Sequence, residues 1–125
     1  MPAPCPHSQG YWKNNPTLWP LTSVTLGSQT YSKTELLVIL KNSMSSDASV
    51  ILARQLIAAK LNLAVGSDPA PVSGTISEAD GVLGGMTGKL PYKVKPNSTT
   101  GAAMVNDATA LNNYNNGQLT PDCTP

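Results

Sequence analysis

Catalysis or metal binding in this 125-residue chain would rest on few side chains: one histidine, two cysteines and seven carboxylates. His7 stands beside Ser8, the pairing of base and hydroxyl that nucleophilic catalysis requires. Neighbours in sequence rarely reach that geometry, and no G-x-S-x-G elbow is present, so His7 is expected to be a hydrogen-bonded structural residue. Glycoside hydrolysis needs two facing carboxylates. Of the seven, Glu35 and Asp47 sit where helix caps belong, and Asp122 lies in the tail beside Cys123. Glu78 and Asp80 are two apart on one predicted helix and do not face each other, and Asp68 and Asp107 stand alone in sequence. A transition metal would need several His or Cys ligands and finds His7 alone, while calcium finds no D-x-[DN]-x-[DN]-G loop. Asn112, Asn113, Asn115 and Asn116 offer neutral oxygens without adjacent carboxylates, the pattern of a solvated helix end. Neither an enzymatic activity nor a cofactor is expected.

The aromatic residues are more informative. There is no Phe, and three of the six aromatic side chains, Tyr11, Trp12 and Trp19, fall within nine positions, close to Gln9, Asn14 and Asn15. Flat rings with a polar edge suit the apolar face of a sugar or a flat protein partner, with Asn14 and Asn15 supplying hydrogen bonds. In a domain without Phe the same tryptophans are also the largest core fillers, so the group reads either as a binding surface or as packing.

Cys5 and Cys123 stand at opposite ends of the chain. Their spacing matches neither a zinc site nor a redox pair; it suits an end-to-end disulfide of an extracytoplasmic domain, with two free buried thiols as the other reading. In the chain-entropy model such a loop of ~118 residues removes roughly 4 to 5 kcal/mol of unfolded-state freedom.

Composition narrows the partners. The hydrophobic fraction of 40% supports a core, whereas charged residues are only 12% and the net charge is +1. The surface must therefore be largely Ser, Thr, Asn and Gln. The eight basic residues are spread along the chain without interleaved aromatics, which argues against nucleic acid. No run approaches the ~18 apolar residues of a membrane span, and residues 1–6 lack the apolar stretch of a signal peptide. The expectation is a mature secreted domain behind an added Met1. A weakly charged surface lets neutral polar faces pack against other proteins, other copies of the chain or a neutral polysaccharide, although low charge alone predicts none of these.

The elements that position these residues follow from local signals. Residues 1–20 read as an irregular cap, with one helical turn at 16–19 started by Asn15 and Pro16. Residues 23–31 form a hairpin around Gly27-Ser28. Ser32 and Glu35 make a capping box for a helix over 33–42, whose run 36–40 is apolar enough to be mostly buried. Asp47 caps a central helix, 48–65, ended by Gly66, with Arg54, Gln55, Lys60 and Asn62 as its few polar positions. A short glycine-weakened helix is expected over 77–83, an extended stretch over 89–96, and a last helix from Ser98 to a stop at Gly117, with a tail over 118–125. Asn97-Ser98-Thr99 matches a glycosylation sequon, yet its hydroxyls are equally good helix caps. The sum is one mainly α domain: about four helices over 32–117, a short hairpin, an aromatic cap and a terminal staple.

The run Gln9-Gly10-Tyr11-Trp12-Lys13-Asn14, with Cys5 four residues upstream, resembles the C…TQGYWKNHP…WP signature of a module recurrent in bacterial secreted and cell-surface proteins. The likeness extends to Val24-Thr25-Leu26-Gly27, Glu35-Leu36-Leu37, Gly88-Lys89-Leu90-Pro91, the central helix around Gln55-Leu56-Ile57-Ala58-Ala59-Lys60, and the Tyr114-Asn115-Asn116-Gly117 ending before Cys123. Ser8 stands where Thr is usual and Asn15 where His is common, so a chemical role for that histidine would be missing here. The resemblance implies secretion, the terminal disulfide and association with extracellular matrix or envelope. The expected function is a non-enzymatic extracellular module for assembly or surface attachment; the alternative is a carbohydrate-binding module using Tyr11, Trp12 and Trp19.

Overall fold

The computed structural model describes residues 3–123, so the outermost residues of the predicted cap and tail, 1–2 and 124–125, lie outside it. Ser8 begins the first helix, α1 (Gln9–Asn14), by accepting the Tyr11 amide on its hydroxyl at 3.2 Å. A 3₁₀ turn follows at Pro16–Leu18, where the sequence predicts one helical turn. The cap is thus more regular than expected, because Ser8 supplies an N-cap for one extra short helix.

Strands β1 (Ser23–Leu26) and β2 (Gln29–Ser32) pair antiparallel, Val24 opposite Tyr31 and Leu26 opposite Gln29. Val24, Leu26 and Tyr31 are buried, whereas Thr25 and Thr30 face outward and share a hydroxyl hydrogen bond of 2.9 Å. The turn needs glycine: Gly27 has φ +65°, and a Cβ there would stand 2.6 Å from the Gly84 nitrogen.

Helix α2 (Lys33–Lys41) opens on a complete capping box, Ser32 accepting the Glu35 amide while Glu35 accepts the Ser32 amide. The long central helix α3 (Ala48–Ala64) is capped by Asp47. Its apolar positions are buried nearly all round, since it packs against α1, α2, α4 (Ser73–Gly84), α5 (Thr99–Asn115) and β1. The core joins Leu52, Leu56, Ile57 and Leu61 of α3 to Leu36 and Leu40 of α2, Ala79 and Leu83 of α4, and Met104, Ala108, Leu111 and Tyr114 of α5. Helix α5 is capped by Ser98 and stops as the sequence predicts, with Gly117 at φ +81°.

Three expectations need correction. Helix α4 starts at Ser73 rather than Ser77, with no side-chain cap, because Val72, Ala79 and Leu83 bury a continuous apolar stripe that outweighs the missing cap. Within the run 36–40 predicted to be mostly buried, Val38 alone is exposed, at 66%, since α2 packs through Leu36 and Leu40 with Leu37 and Ile39 partly buried against the core. Asn115 is not part of a solvated helix end but fully buried, as is Asn62.

Cys5 and Cys123 are bonded, with their Cα atoms 5.5 Å apart across a separation of 118 residues. Ser67 donates to the Pro4 carbonyl at 2.9 Å and Tyr114 to the Asp68 carbonyl at 2.7 Å, so both chain ends gather at the C-terminal end of α3. The disulfide fits an oxidising, extracytoplasmic environment. No helix among the described residues is long and apolar enough to cross a membrane.

Candidate functional site

The sequence points first to the aromatic cap. Trp12 is 2% exposed and Trp19 is 9% exposed, so both indoles belong to the core and neither presents a face to a sugar. Their polar edges are satisfied internally. Trp12 Nε1 donates to Asn62 Oδ1 at 3.0 Å, and Trp19 Nε1 donates to the Trp12 carbonyl at 2.7 Å. Asn62 Oδ1 also accepts the His7 amide at 2.8 Å, while its Nδ2 donates to the His7 carbonyl at 2.9 Å and to Asn115 Oδ1 at 3.0 Å. Asn115 Nδ2 in turn reaches the Gln55 carbonyl and Oε1. Asn62 therefore uses all four of its hydrogen-bonding positions inside the fold.

The remaining predicted binding residues do not converge on a site. Tyr11 is half-buried, stacked on the His7 ring at 3.8 Å and edge-on to Trp12 at 5.1 Å. Asn14 is exposed, and Asn15 donates to the Tyr11 carbonyl at 2.8 Å, ending α1. The Lys33 ammonium lies 5.5 Å from the centre of the Trp19 ring. Ser8 is engaged by the Tyr11 amide and the His7 ring lies flat on Tyr11, so the His7–Ser8 pair serves packing and capping.

The carboxylates are likewise committed. Asp47 accepts the Ser49 amide and hydroxyl and the amides of Lys93 and Val94, at 2.6 to 3.1 Å. Burial pushes its pKa up, but the hydrogen bonds from Ser49, Val94 and Lys93 outweigh that and hold it below the usual range. Asp80 pairs with Lys60 at 2.7 Å and accepts the Gly27 amide at 2.9 Å, locking the hairpin turn to α4. Asp107 differs: it is 7% exposed, its Oδ2 has no hydrogen-bond partner, and burial together with nearby Glu78 pushes its pKa up to about 6. No group of three His, Cys, Asp or Glu converges among the described residues.

An open recess of about 250 Å³ lies elsewhere, between α2 and the irregular strap of residues 88–94. Glu35, Val38, Ile39 and Asn42, spaced to share one face of α2, form one wall; Leu90 and Pro91 form the other, and Tyr31 and Val50 line it. The strap is tied down along its length. Tyr31 Oη accepts the Leu90 amide, Ser49 Oγ the Tyr92 amide, Asp47 the next two amides, and the Ala48 amide donates to the Val94 carbonyl. Lys89 lies on the rim, 3.0 Å from Glu35 and 5.0 Å from the centre of the Tyr31 ring. The Ser32 amide and Lys89 hold the Glu35 carboxyl below its ordinary pKa. The groove is thus preformed and largely apolar inside, with the Glu35–Lys89 ion pair at its rim. Sequence reasoning did not find it; the available signal was Val38, an aliphatic residue between the helix positions that face the core.

Comparison with protein-family models, curated proteins and solved structures returned no match.

Proposed function

We propose that the chain is a secreted, non-enzymatic interaction module that works through protein contacts, with the groove between α2 and the 88–94 strap as its contact face. One observation carries this reading. The apolar side chains that a partner could cover, led by Val38 at 66% exposure, line a recess whose strap wall is already fixed by hydrogen bonds from its amides to Tyr31 and Ser49. A preformed groove spares a partner the cost of ordering it. Its apolar interior suits an aliphatic side chain, and exposed Lys41, Lys93 and Lys95, which stand in no ion pair among the described residues, favour carboxylates beside it. A sugar-binding role for Trp12 and Trp19 is not favoured, because their rings lie in the core.

Titration of isotope-labelled protein with short peptides carrying one leucine between aspartates checks the reading. Amide shifts should concentrate at Val38, Ile39, Lys89 and Leu90 and disappear in Val38→Asp. Shifts scattered over the surface, or unchanged by Val38→Asp, would remove the groove as the contact face.

A further inference from the structure

Charge is distributed unequally along this nearly neutral chain. Residues 61–88 and 96–125 contain five acids, Asp68, Glu78, Asp80, Asp107 and Asp122, and no lysine or arginine. The strap between these stretches carries Lys89, Lys93 and Lys95, and Lys41 ends α2 beside groove-lining Asn42. Lys41, Lys93 and Lys95 are exposed and stand in no ion pair among the described residues. The acids on this side are already used: Glu35 pairs with Lys89, and hydrogen bonds from Ser49 and the strap amides surround Asp47.

The helix α3 separates this lysine-bearing side from an end with two exposed carboxylates. Val50, in its first turn, lines the groove. Its other end, roughly 25 Å away at about 1.5 Å per residue, is where the disulfide, residues 66–69 and the tail meet. That end presents Val65 and Leu119, 36% and 39% exposed, beside exposed Asp68 and Asp122. It has the chemistry the groove suits: aliphatic side chains among carboxylates.

We propose that the occupant of the groove is the acidic tail end of a second copy of this chain, so that the module assembles head to tail. This rests on the groove being a protein-contact face, as argued above, and adds the partner. Groove-to-groove pairing would bring the strap lysines of two copies together, so like-charge repulsion disfavours a closed two-fold dimer. A contact between different surfaces at opposite ends of one molecule leaves both ends free and propagates.

Sedimentation velocity of the whole chain, with Val38→Asp and Leu119→Lys variants, tests the proposal. Wild type should grow past dimer with increasing concentration and lose at least about tenfold in association when salt is raised from about 50 to about 500 mM. Each variant alone should remain monomeric. Mixed together they should form a dimer and stop, because Val38→Asp retains an intact tail and Leu119→Lys an intact groove. A wild type that is monomeric at high concentration, growth that ends at a closed dimer, or variants that associate like wild type would each overturn the proposal. If wild type is monomeric while the aspartate-leucine peptides still shift groove resonances, the self-partner is wrong and the contact face stands. If neither occurs, both fall.

Discussion

The aromatic cap and the α2 groove are built from similar material, rings and aliphatic side chains beside a few polar groups, yet one is closed and the other open. In the cap, Asn62 gathers the Trp12 indole, both backbone groups of His7 and Asn115 into one buried network, and Trp19 is held by the Trp12 carbonyl. The indole N–H groups and Asn62 are satisfied inside the fold, and buried Gln9 Oε1 is left without a hydrogen-bond partner. In the groove, hydrogen bonds run along the strap and hold its backbone, while Val38 on its wall is exposed beside buried Tyr31 and Val50. Polar residues therefore have opposite uses at the two places: they seal the cap, and they hold the groove apart. The QGYWKN run marks the sealed region, while the groove is lined by short stretches far apart in the chain, Glu35 to Asn42 and Lys89 to Pro91.

Breaking the cap should have the largest effect. Trp12→Ala removes a buried indole and leaves a cavity, and a loss of about 3 to 5 kcal/mol is expected in chemical denaturation. Asn62→Ala should cost about 3 kcal/mol, because the Trp12 and His7 donors and Asn115 Oδ1 are then buried with fewer partners. A melting temperature unchanged by either would mean that the cap is not part of the cooperative fold.

Most of the architecture was legible because it rests on local rules. The Ser32–Glu35 box, the Asp47 and Ser98 caps, the Gly27 turn and the Gly117 stop are each fixed within four residues of chain. The cap network was not legible. Asn62 and His7 lie 55 residues apart, and Asn62 and Asn115 53 apart, so an asparagine that reads as solvated becomes buried through contacts no local rule contains. The same holds for the groove, whose walls are joined by Tyr31 to Leu90 across 59 residues. The start of α4 was misplaced for a related reason: its apolar stripe is held by tertiary packing, where local reading looks for a cap.

Asp107 sharpens the contrast between satisfied and unsatisfied polar groups. Asp47 has four donors at its carboxylate; Asp107, equally buried on α5, has an oxygen with none and faces Glu78 on α4. The basic residues of neighbouring α3 are engaged elsewhere, Arg54 with the Asn42 carbonyl and Lys60 with Asp80. Because folding raises the pKa of Asp107 to about 6, the native state binds its proton more readily than the unfolded chain. Stability should rise as pH falls from 7 toward 4. Asp47 works in the opposite sense: its lowered pKa contributes stability above its ordinary value, and that contribution is lost as pH falls through the folded pKa. Asp107→Asn should gain about 1 kcal/mol at pH 7 and flatten the profile between pH 7 and 4. Unfolding midpoints measured across that range decide it; a variant with the wild-type slope would place the titration elsewhere.

The smallest effect on stability is expected at the groove, and its smallness is what separates the two regions. Val38 is mostly exposed on a helix that packs through Leu36 and Leu40, so Val38→Asp should change unfolding free energy by no more than about 0.5 kcal/mol. A contact surface is under different constraints from a core: its apolar groups contribute little until something covers them. The variant should melt like wild type and still lose peptide binding, whereas Trp12→Ala should lower melting and leave the groove residues of the surviving native fraction able to bind. If Val38→Asp instead destabilised the chain by as much as Trp12→Ala, the α2 face would be part of the core, and the distinction between a sealed cap and an open groove would disappear.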